Sequence, residues 1–562
     1  MKERRKRKGI VSWSALFWST LLLLVSSIFF TTLFFYPFND AQPPLLFRWE
    51  TPPTTSHATI TIRETVVLPD QVLIFLNYPP SFRFHTKHDL LCLYFSADST
   101  SRLTQPPIQL HIARLHEQIV RCALPPRGNT VSIFIKSDGV LPTKDSSTHH
   151  WTPLVYEALF DRDNTTIVFV KGLNLRPERL IEPSRFQCIY GWDFTKPKFF
   201  LKSEVISGAQ EIIRCRTPKS ILMGQAQAQA HAHSIKVTIQ TRDTEIFPSI
   251  ARPGLCARHN TPKKKAYEIC ICTMLRNQAR FLKEWVMYHA KIGVQRWFVY
   301  DNNSDDDIEN VISFLQRVGY NISQHLWPWV KTQEAGFAHC ALRARSSCKW
   351  VAFIDVDEFF HIKMKGGLSD VIWQHAKPGQ NVGEIRTLCY SFGPSGRREV
   401  PREGVAMGYT CRLSGSERHK SIVRPEALNQ SLINVVHHFH LSAPFVAVDS
   451  DKSKIVINHY KYQVWKVFKQ KFYRRVATYV ADWKEKQNVG SRDRAPGLGT
   501  KPVEPADWAN RFCEVKDFGL RNWVFRHFLD HRTHLLPWQP EFDHHIRKRR
   551  RRKDKIMIQP FL

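Results

Sequence analysis

The sequence has little glycine where nucleotide-binding loops would need it. No Gly-x-Gly-x-x-Gly and no Walker loop precedes any of the helices that its periodicity predicts. Such loops let backbone N–H groups surround a pyrophosphate at the start of a helix, so their absence argues against a dinucleotide enzyme and a P-loop nucleotide hydrolase. A second cysteine pair at zinc-finger spacing is also missing beside Cys270 and Cys272. We therefore expect these two side chains to be buried core thiols.

Acidic residues are few compared with basic ones, 50 against 81, which gives a formal net charge of +31. The terminal segments 2–8 and 547–555 supply +12 of this excess, because they hold fourteen basic and two acidic residues. A basic surface suits nucleic acid, acidic polysaccharide or anionic lipid, and charge alone does not select among them. With 43% hydrophobic residues over 562 positions, the chain can form two or three folded domains and is not disordered.

A stretch without any charged side chain extends over residues 10–38 and is rich in Leu, Phe, Ile and Val. It exceeds the ~20 apolar residues that span a bilayer, and the basic tail 1–9 before it should stay in the cytosol. A cleaved signal peptide would have a shorter apolar core and a small-residue cleavage site, which Phe-Phe-Tyr-Pro-Phe at 34–38 is not. We therefore predict an uncleaved transmembrane anchor of type II topology. The body of the chain then lies in a lumen, away from nucleic acid.

Composition divides the remainder of the chain into segments. Residues 39–60 are rich in Pro and Thr and form a predicted stem. Short alternating or apolar runs without helical periodicity predict a β-rich domain over 61–250, followed by a linker over 251–266 that contains Pro, Gly and three consecutive lysines. A second predicted domain spans 267–530, and a basic tail spans 531–562.

A weak internal repeat in the β-rich domain contains its four cysteines. The pattern Cys-x-Tyr followed by Ile-x-Arg-Cys runs from Cys92 to Cys122 and recurs from Cys188 to Cys215. Such self-similarity predicts two related β modules. We therefore predict the disulfides Cys92–Cys122 and Cys188–Cys215, which a lumenal compartment permits, although sequence alone leaves other pairings open. The same compartment would glycosylate three sequons, at Asn164, Asn321 and Asn429.

Strand-like and helical patterns alternate from Tyr267 onward. Apolar runs at 269–274, 296–300, 323–330 and 350–354 predict strands, with helices between them. This rhythm predicts a mostly parallel, three-layer α/β sheet. In such sheets ligands bind beyond the carboxyl ends of the strands.

Two acids follow the fourth predicted strand, in Phe353-Ile354-Asp355-Val356-Asp357-Glu358-Phe359. In an extended segment residues i and i+2 point the same way, so Asp355 and Asp357 should aim together into the crevice at the strand's end. Neighbouring carboxylates repel each other unless a cation compensates, and hard oxygen ligands suit Mg²⁺ or Mn²⁺. A metal there can bind a diphosphate and offset the charge that develops as it leaves. The structural alternative is a pair of acids in a solvated turn.

Other polar segments end neighbouring predicted strands. Arg276 follows the first predicted strand and could neutralise phosphate. The polar turn 300–305 follows the second predicted strand and could bind a ribose hydroxyl or cap the next helix. Farther along, the strand-like run 455–460 ends in Asn-His-Tyr, and a neutral imidazole at His459 could complete a metal site. Taken alone, a single histidine is more often structural.

Together these segments resemble glycosyltransferase family 92. The likeness rests on ordered motifs: Cys-Thr-Met-Leu-Arg-Asn at 272–277, Phe-Leu-Lys-Glu-Trp at 281–285, Tyr-Asp-Asn-Asn-Ser-Asp at 300–305, the Asp-x-Asp segment, Ser-Phe-Gly-Pro-Ser-Gly at 391–396 and Asn-His-Tyr at 458–460. It covers about residues 267–513, and plant members, which include galactan synthases, also look similar before Tyr267. The resemblance implies a GT-A fold, a nucleotide-sugar donor, a divalent metal and inversion at the anomeric carbon.

The resemblance also implies roles for individual residues. Asp355 should touch the donor nucleotide or its ribose, Asp357 should ligate the metal, and His459 should be its downstream ligand. The nucleotide pocket should be lined by Thr273, Arg276, Asn277, Asp301 and Asn302. The chain departs from the family after Tyr460, where many relatives carry a Lys-Ser pair and this sequence continues Lys-Tyr-Gln-Val-Trp-Lys.

The resulting hypothesis is a Golgi-membrane glycosyltransferase that transfers a hexose, with UDP-galactose as the expected donor, to a glycan or cell-wall polysaccharide, using Mn²⁺ or Mg²⁺. A base removes the proton of the attacking hydroxyl, and the candidates are Glu403, Glu417 and Asp482. A homodimer is left open. The alternative is a catalytically inactive lumenal carbohydrate-binding protein, which should show no metal-dependent nucleotide binding. A phosphatase of the Asp-x-Asp type would carry its motif after the first strand of its domain, not the fourth.

Overall fold

The structure, a computed structural model, describes residues 59–542 apart from 81, 97–101, 115, 142–146, 174–179, 195–196, 228–234, 242–245, 255–264, 378, 436 and 480–502. The predicted anchor at 10–38, both basic tail clusters, nearly all of the stem and Asp482 lie outside the described residues. Of the helices in the part that is described, none is both long enough and apolar enough to cross a bilayer. The described residues from Ile60 onward belong to one compact unit.

Strands dominate the first half of the described chain, as the alternating runs predict. They are β1 (Thr61–Val67), β2 (Val72–Asn77), β3 (Leu90–Ser96), β4 (Arg102–Gln105), β5 (Gln109–Arg114), β6 (Glu117–Cys122), β7 (Asn129–Ile135), β8 (Gly139–Val140), β9 (Ser147–His150), β10 (Leu154–Phe160), β11 (Thr165–Lys171), β12 (Phe186–Gly191), β13 (Leu201–Ala209), β14 (Ile212–Arg216) and β15 (Lys236–Thr241), with helix α1 (Lys219–Gln227) before the last. Three sheets result, in the orders β5-β6-β2-β1-β9, β4-β3-β7-β8 and β10-β11-β14-β13-β12-β15.

Two disulfides link strands that are not hydrogen-bonded neighbours in this β-rich region. Cys92–Cys122 joins β3 to β6, which belong to different sheets. Cys188–Cys215 joins β12 to β14, which pair with different halves of the long strand β13. These are the two pairs that the internal repeat predicts. Each therefore ties together separate parts of its module.

The second half of the described chain alternates strands and helices. Its strands are β16 (Tyr267–Leu275), β17 (Arg296–Asp301), β18 (Ile322–Leu326), β19 (Cys348–Phe353), β20 (Glu358–Ile362), β21 (Val382–Ser391), β22 (Cys411–Arg412), β23 (Glu417–Val423), β24 (Asn434–Val435), β25 (His438–Phe439), β26 (Val446–Asp449), β27 (Ile455–His459) and β28 (Val515–Lys516). Its helices are α2 (Ala279–Lys291), α3 (Ile308–Arg317), α4 (Gln333–Ala344), α5 (Leu368–His375), α6 (Val405–Gly408), α7 (Trp465–Tyr479) and α8 (Gly519–Phe528).

The large sheet of this half is mixed but mostly parallel, as predicted: among the described residues seven of its nine strands run in one direction, and β20 and β23 run in the other. Its order is β18-β17-β16-β19-β23-β21-β27-β20, with β26 added beside β21. The first four strands are mutually parallel because α2, α3 and α4 return the chain between them. Beyond β19 the chain no longer alternates regularly between strand and helix, and β23 joins β19 in the antiparallel direction.

The two faces of this sheet carry different partners. Ile269 and Ile271 of β16 face a core that α2, α3 and α5 help to build. Cys270 and Cys272 alternate with them and face α4 and the β-rich region, which share one apolar core. The expectation of free thiols is wrong, because Cys270 is bonded to Cys348 on β19 and Cys272 to Cys340 on α4. Sequence spacing does not reveal such pairs, since strand and helix packing brings the partners together.

Candidate active site at the carboxyl end of the parallel strands

The Asp-x-Asp motif follows β19 but does not continue it as a strand. The N–H of Glu358 donates to the carbonyl of Asp355 at 3.0 Å, which closes a turn over the motif. The expectation that Asp355 and Asp357 share one face of an extended segment is therefore wrong. The two acids nevertheless lie near each other, since the negative charge of Asp357 acts on Asp355 and tends to raise its pKa.

Asp355 lies beside a lysine from β23 and a buried histidine, His437, whose pKa burial holds well below its usual range. The Nζ atom of Lys420 on β23 lies 3.0 Å from Oδ2 of Asp355, and the Nε2 atom of His437 lies 3.9 Å away. Burial opposes the ionisation of Asp355, but the charge of Lys420 outweighs this effect and lowers the pKa of Asp355 to about 2. Lys420 also lies 2.9 Å from Glu358, whose side chain is fully buried. The carboxylate of Asp355 is therefore ionised at any physiological pH.

Asp357 lies between a lysine and the predicted downstream histidine. The ammonium of Lys471 on α7 contacts Oδ2 of Asp357, and the Nε2 atom of His459 is 3.5 Å from the same oxygen. Although burial opposes ionisation, Lys471 and His459 hold the pKa of Asp357 well below its usual range. The other ring nitrogen of His459 lies 3.7 Å from Glu358 and 4.0 Å from Glu417.

Strand pairing explains why residues so distant in sequence meet here. β20 and β27 are antiparallel, and Glu358 is directly opposite His459 in their register. The N–H of Tyr460 also donates to the carbonyl of Asp357 at 2.8 Å. The end of β27 is therefore bonded to the acidic turn itself. Parallel pairing of β27 with β21 adds Ser391, opposite His459, from the other side.

Asp357 and His459 fit part of a divalent metal site. Their Oδ2 and Nε2 atoms are 3.5 Å apart, close to the separation of two neighbouring ligands that each lie ~2.1 Å from one ion. In the described part of the chain, no three His, Cys, Asp or Glu side chains are grouped to hold an ion by themselves. Magnesium-like ions commonly take one or two protein ligands together with substrate phosphates. The pair therefore fits an ion that binds together with a diphosphate.

The predicted nucleotide-binding residues lie at the neighbouring sheet edge, but they differ in exposure. Asp301 is fully buried, and its carboxylate accepts bonds from the Ser304 N–H and the Gln324 amide, both at 2.9 Å. The Asn302 amide donates to the carbonyls of Trp327 and Trp329 at 2.7 and 3.1 Å. These two side chains therefore hold the turn together from inside.

Three further predicted pocket residues end or follow β16. Thr273 is buried within the strand, whereas Arg276 and Asn277 are half-buried at its end. Arg276 lies 3.8 Å from Asp305. Asn277, in a left-handed conformation, accepts a bond from the N–H of Asp305 at 2.7 Å. Arg276 and Asn277 are therefore partly exposed, as is Asn302, whereas Thr273 and Asp301 are buried.

The candidate bases are separated by the structure. Glu417 on β23 belongs to the charged cluster that is formed around Asp355, Asp357, Glu358 and His459. Both of its oxygens lie 3.0 Å from Lys461, and one lies 4.0 Å from His459. Burial acts to raise its pKa, but Lys461 and His459 lower it overall. Glu403 instead contacts Arg397, and its carbonyl accepts a bond from Trp538. Asp482 lies outside the described residues.

Sequence reasoning missed several members of the cluster, namely Glu358, Lys420, His437, Lys461 and Lys471. Glu358 adjoins the Asp-x-Asp motif, and its position before a buried run was an available signal. Lys420 precedes the apolar end of β23, which was a weaker one. Lys471 lies on the basic, aromatic helix α7, where no local motif marks it. Only packing places its ammonium on Asp357.

The three sequons differ in accessibility. Asn164 is exposed in the turn between β10 and β11, in a left-handed conformation. Asn321 is half-buried, and its amide contacts both Arg296 and Tyr267. The side-chain oxygen of Asn429 accepts the Ser431 N–H at 3.0 Å. Asn164 is thus the most accessible of the three predicted glycosylation sites.

Comparison with known proteins gives consistent relatives. The family model described as glycosyltransferase family 92 matches residues 265–490. A family 92 protein of Ricinus communis is 56% identical over 558 residues, which cover 96% of this chain and 100% of that protein. A family 92 protein of Oryza sativa subsp. japonica is 51% identical and covers 85% of this chain and 82% of its own length. A family 92 protein of Arabidopsis thaliana is 43% identical, with 85% of each chain covered.

Similarity to solved structures is much weaker. The mannosyltransferase PcManGT from Pyrobaculum calidifontis, in complex with GDP-Man and Mn²⁺, matches 41% of this chain and 66% of its own at 10% identity and a TM-score of 0.24. S. aureus TarS 1-349 matches 37% and 63% at 14% identity and a TM-score of 0.22. At these TM-scores the similarity supports no statement about function.

Proposed function

Because the chain belongs to glycosyltransferase family 92 and is a glycosyltransferase, we propose that it transfers a hexose from a UDP-sugar to a glycan or cell-wall polysaccharide with inversion. The proposed donor is UDP-galactose, and the proposed cofactor is Mn²⁺ or Mg²⁺. The observation that carries this proposal is the meeting of Asp357 and His459, 3.5 Å apart, beside three lysines at the end of the sheet. This arrangement suits an ion and a diphosphate bound side by side.

Different residues of the charged cluster have different proposed roles in binding a nucleoside diphosphate. Asp357 and His459 would hold the divalent cation, which would supply positive charge to the departing diphosphate. Lys471 and Lys461 bring further positive charge to the same place, in a chain that lacks the Lys-Ser pair of many relatives. Lys420 keeps Asp355 ionised, and an ionised carboxylate can accept bonds from ribose hydroxyls.

The transfer itself needs one displacement and one base. The acceptor oxygen forms a bond to the anomeric carbon as the bond from that carbon to the diphosphate oxygen breaks. The electron pair of the broken bond leaves with UDP. Glu417 is the base we assign, because among the candidates in the described chain it lies beside His459 and is ionised at neutral pH. It would accept the proton of the acceptor hydroxyl.

The fold assignment and the cellular placement are part of the same proposal. Four parallel strands with an acidic turn after the fourth support a GT-A catalytic domain. The uncharged stretch 10–38 supports a single-pass anchor, with the catalytic part in the Golgi lumen. Five disulfides within the described residues suit that compartment.

Titration calorimetry of the purified full-length protein with UDP, with and without Mn²⁺, tests the proposal. We expect wild-type binding to strengthen when Mn²⁺ is present. The Asp357→Asn variant should lose that increment, and sugar transfer should fall by about 10²-fold or more. Asp138→Asn, at an exposed hairpin, serves as the matched control and should leave both unchanged. Measuring UDP release with a panel of nucleotide sugars would identify the donor.

Two results would contradict the proposal at different levels. Full transfer by Asp357→Asn with unchanged Mn²⁺ dependence would remove the metal assignment. Wild-type protein that binds no nucleotide, with or without Mn²⁺, would remove the UDP-sugar donor.

A further inference from the structure

The β-rich region packs directly against the sheet edge where the nucleotide is proposed to bind. Trp151 stacks on Trp329 with ring centroids 5.5 Å apart, and Phe75 stacks on the same indole at 6.4 Å. Tyr156 meets Trp327 edge-on at 6.0 Å. The segment that follows β18 is therefore covered by side chains from β2, from β10 and from the residue that follows β9.

Residues 327–329, which follow β18, hold the turn at residues 301–305 in place. Asn302 donates to the carbonyls of Trp327 and Trp329, and the Asn303 amide donates to the carbonyl of Pro328 at 2.9 Å. A displacement of the aromatic contacts would therefore reach the turn through these bonds. This is an apolar support from the β-rich region.

Arg121 on β6 gives the same turn a second, charged support. Its guanidinium donates to the Ser304 carbonyl at 3.2 Å and lies 3.0 Å from Oδ1 of Asp305. Its Nε–H donates to the Gln71 side chain at 2.9 Å. The arginine is almost fully buried, and the next residue, Cys122, is held by a disulfide. The guanidinium is therefore fixed in place on the side of the β-rich region.

The effect of Arg121 extends to two residues of the proposed nucleotide pocket. Asp305 shares its carboxylate between Arg121 and Arg276, whose guanidinium lies 3.8 Å from the other oxygen. The N–H of Asp305 donates to Asn277, and the N–H of Asn277 donates to the Ser304 hydroxyl at 3.0 Å. Arg276 and Asn277 are thus connected to Arg121 through one residue each.

We propose that Arg121 is a positioning residue for the donor nucleotide, so that the β-rich region forms part of the donor site. This rests on the proposed function, since it takes the edge at Arg276 and Asn277 to bind a nucleoside diphosphate. A buried ion pair often contributes little net stability, because desolvation offsets the attraction. Asp305 is also well exposed on its outer side. Placement of the turn is therefore the larger consequence of the contact.

The test compares variants of the full-length protein. Arg121→Met removes the guanidinium, whereas Arg121→Lys keeps the positive charge but loses the planar group with several N–H donors. Arg102→Met, on the exposed strand β4, is the control. We expect Arg121→Met to weaken UDP binding roughly tenfold, as the loss of one charged hydrogen bond would, and to raise the donor KM while the acceptor KM stays constant. Arg121→Lys should recover part of the loss. Amide exchange over residues 301–305 should become faster in Arg121→Met.

Asp305→Asn provides a second route if Arg121→Met fails to fold. Because Asp305 is partly exposed, this variant should fold and show the same loss of UDP affinity, and Arg121→Met in that background should add little. Unchanged UDP affinity and unchanged exchange at 301–305 in either variant would overturn the inference. So would equal increases in the donor and acceptor KM. If the wild type binds no UDP, the proposed function fails, and exchange at 301–305 still decides whether Arg121 positions the turn.

Discussion

Lys420 and Glu358 form a salt bridge of 2.9 Å in which both side chains are buried. The same ammonium lies 3.0 Å from Asp355, so one lysine compensates two carboxylates. β23, which carries Lys420, pairs antiparallel with β19, which leads into the acidic turn. The mixed half of the sheet therefore supplies the positive charge that a purely parallel sheet would have to obtain elsewhere.

Replacing Lys420 should destabilise the protein strongly. Lys420→Met leaves Glu358 and Asp355 without their shared cation, and breaking a buried pair in this way costs about 3–5 kcal/mol. Lys349→Met is the matched control, because the Lys349–Glu268 pair is about half exposed and should change stability by less than about 1 kcal/mol. Denaturant unfolding measures both. Equal, small effects would show that the charge of Lys420 is dispensable for the folded state.

Glu417→Gln should remove the base without removing the donor site. A misplaced or missing general base lowers kcat by about 10²–10⁴-fold, and UDP affinity should remain that of the wild type. Glu268→Gln, a surface glutamate on β16, is the control. Steady-state kinetics with saturating donor make the comparison. A variant with wild-type kcat would place the base elsewhere, and Asp482 would then be the next candidate to replace.

Glu284 should make stability depend on pH. It is buried in α2, where its carboxylate accepts the N–H groups of Val405 and Ala406 at 2.8 and 2.9 Å. Burial nevertheless raises its pKa to about 7. The folded state therefore holds this proton to higher pH than the unfolded chain does, and stability is lost as pH rises from about 4.5 to about 7.

The comparison of wild type with Glu284→Gln isolates that effect. As the pH rises through this range, the wild type should lose up to about 3 kcal/mol of unfolding free energy relative to Glu284→Gln. The difference between the two should be constant above about pH 8. Chemical denaturation at several pH values measures it, and a difference that does not vary with pH would mean that Glu284 keeps its ordinary pKa.

Gly404→Ala should destabilise the loop that Glu284 holds. Gly404 has φ +99°, and an added Cβ would lie 2.5 Å from the Glu284 carboxylate. Strain in that region and the close contact together should cost about 1–3 kcal/mol. Gly415→Ala is the control, because nothing lies within 4 Å of its Cβ position. Thermal unfolding compares the two variants. If both unfold alike, the loop adapts to the side chain.

Local patterns were sufficient for some elements of the site and insufficient for others. The apolar run that forms β19 and the two acids after it were predictable, because hydrophobic periodicity and local sequence produce both. The conformation of the acids was not, since the turn is closed by a bond to Glu358 rather than by strand pairing. The cysteines of β16 were misassigned for a related reason. Their partners lie in elements whose packing no sequence spacing reveals.

The sequence by itself determined the alternating strands and helices from β16 to β19 and the acidic motif at their end, and its internal repeat predicted the two disulfides of the β-rich region, whose pairing the structure then decided. Each of these depends on periodicity or repetition within a short stretch. The meeting of His459 with Asp357 was expected from the family resemblance, but only the tertiary structure decided that Lys420 and Lys471 meet the acidic turn and that Arg121 meets the turn at 301–305. Those contacts arise from strand register and from the packing of one region on another. Their free energy depends on the whole sheet and its shared core, which no short stretch of sequence contains.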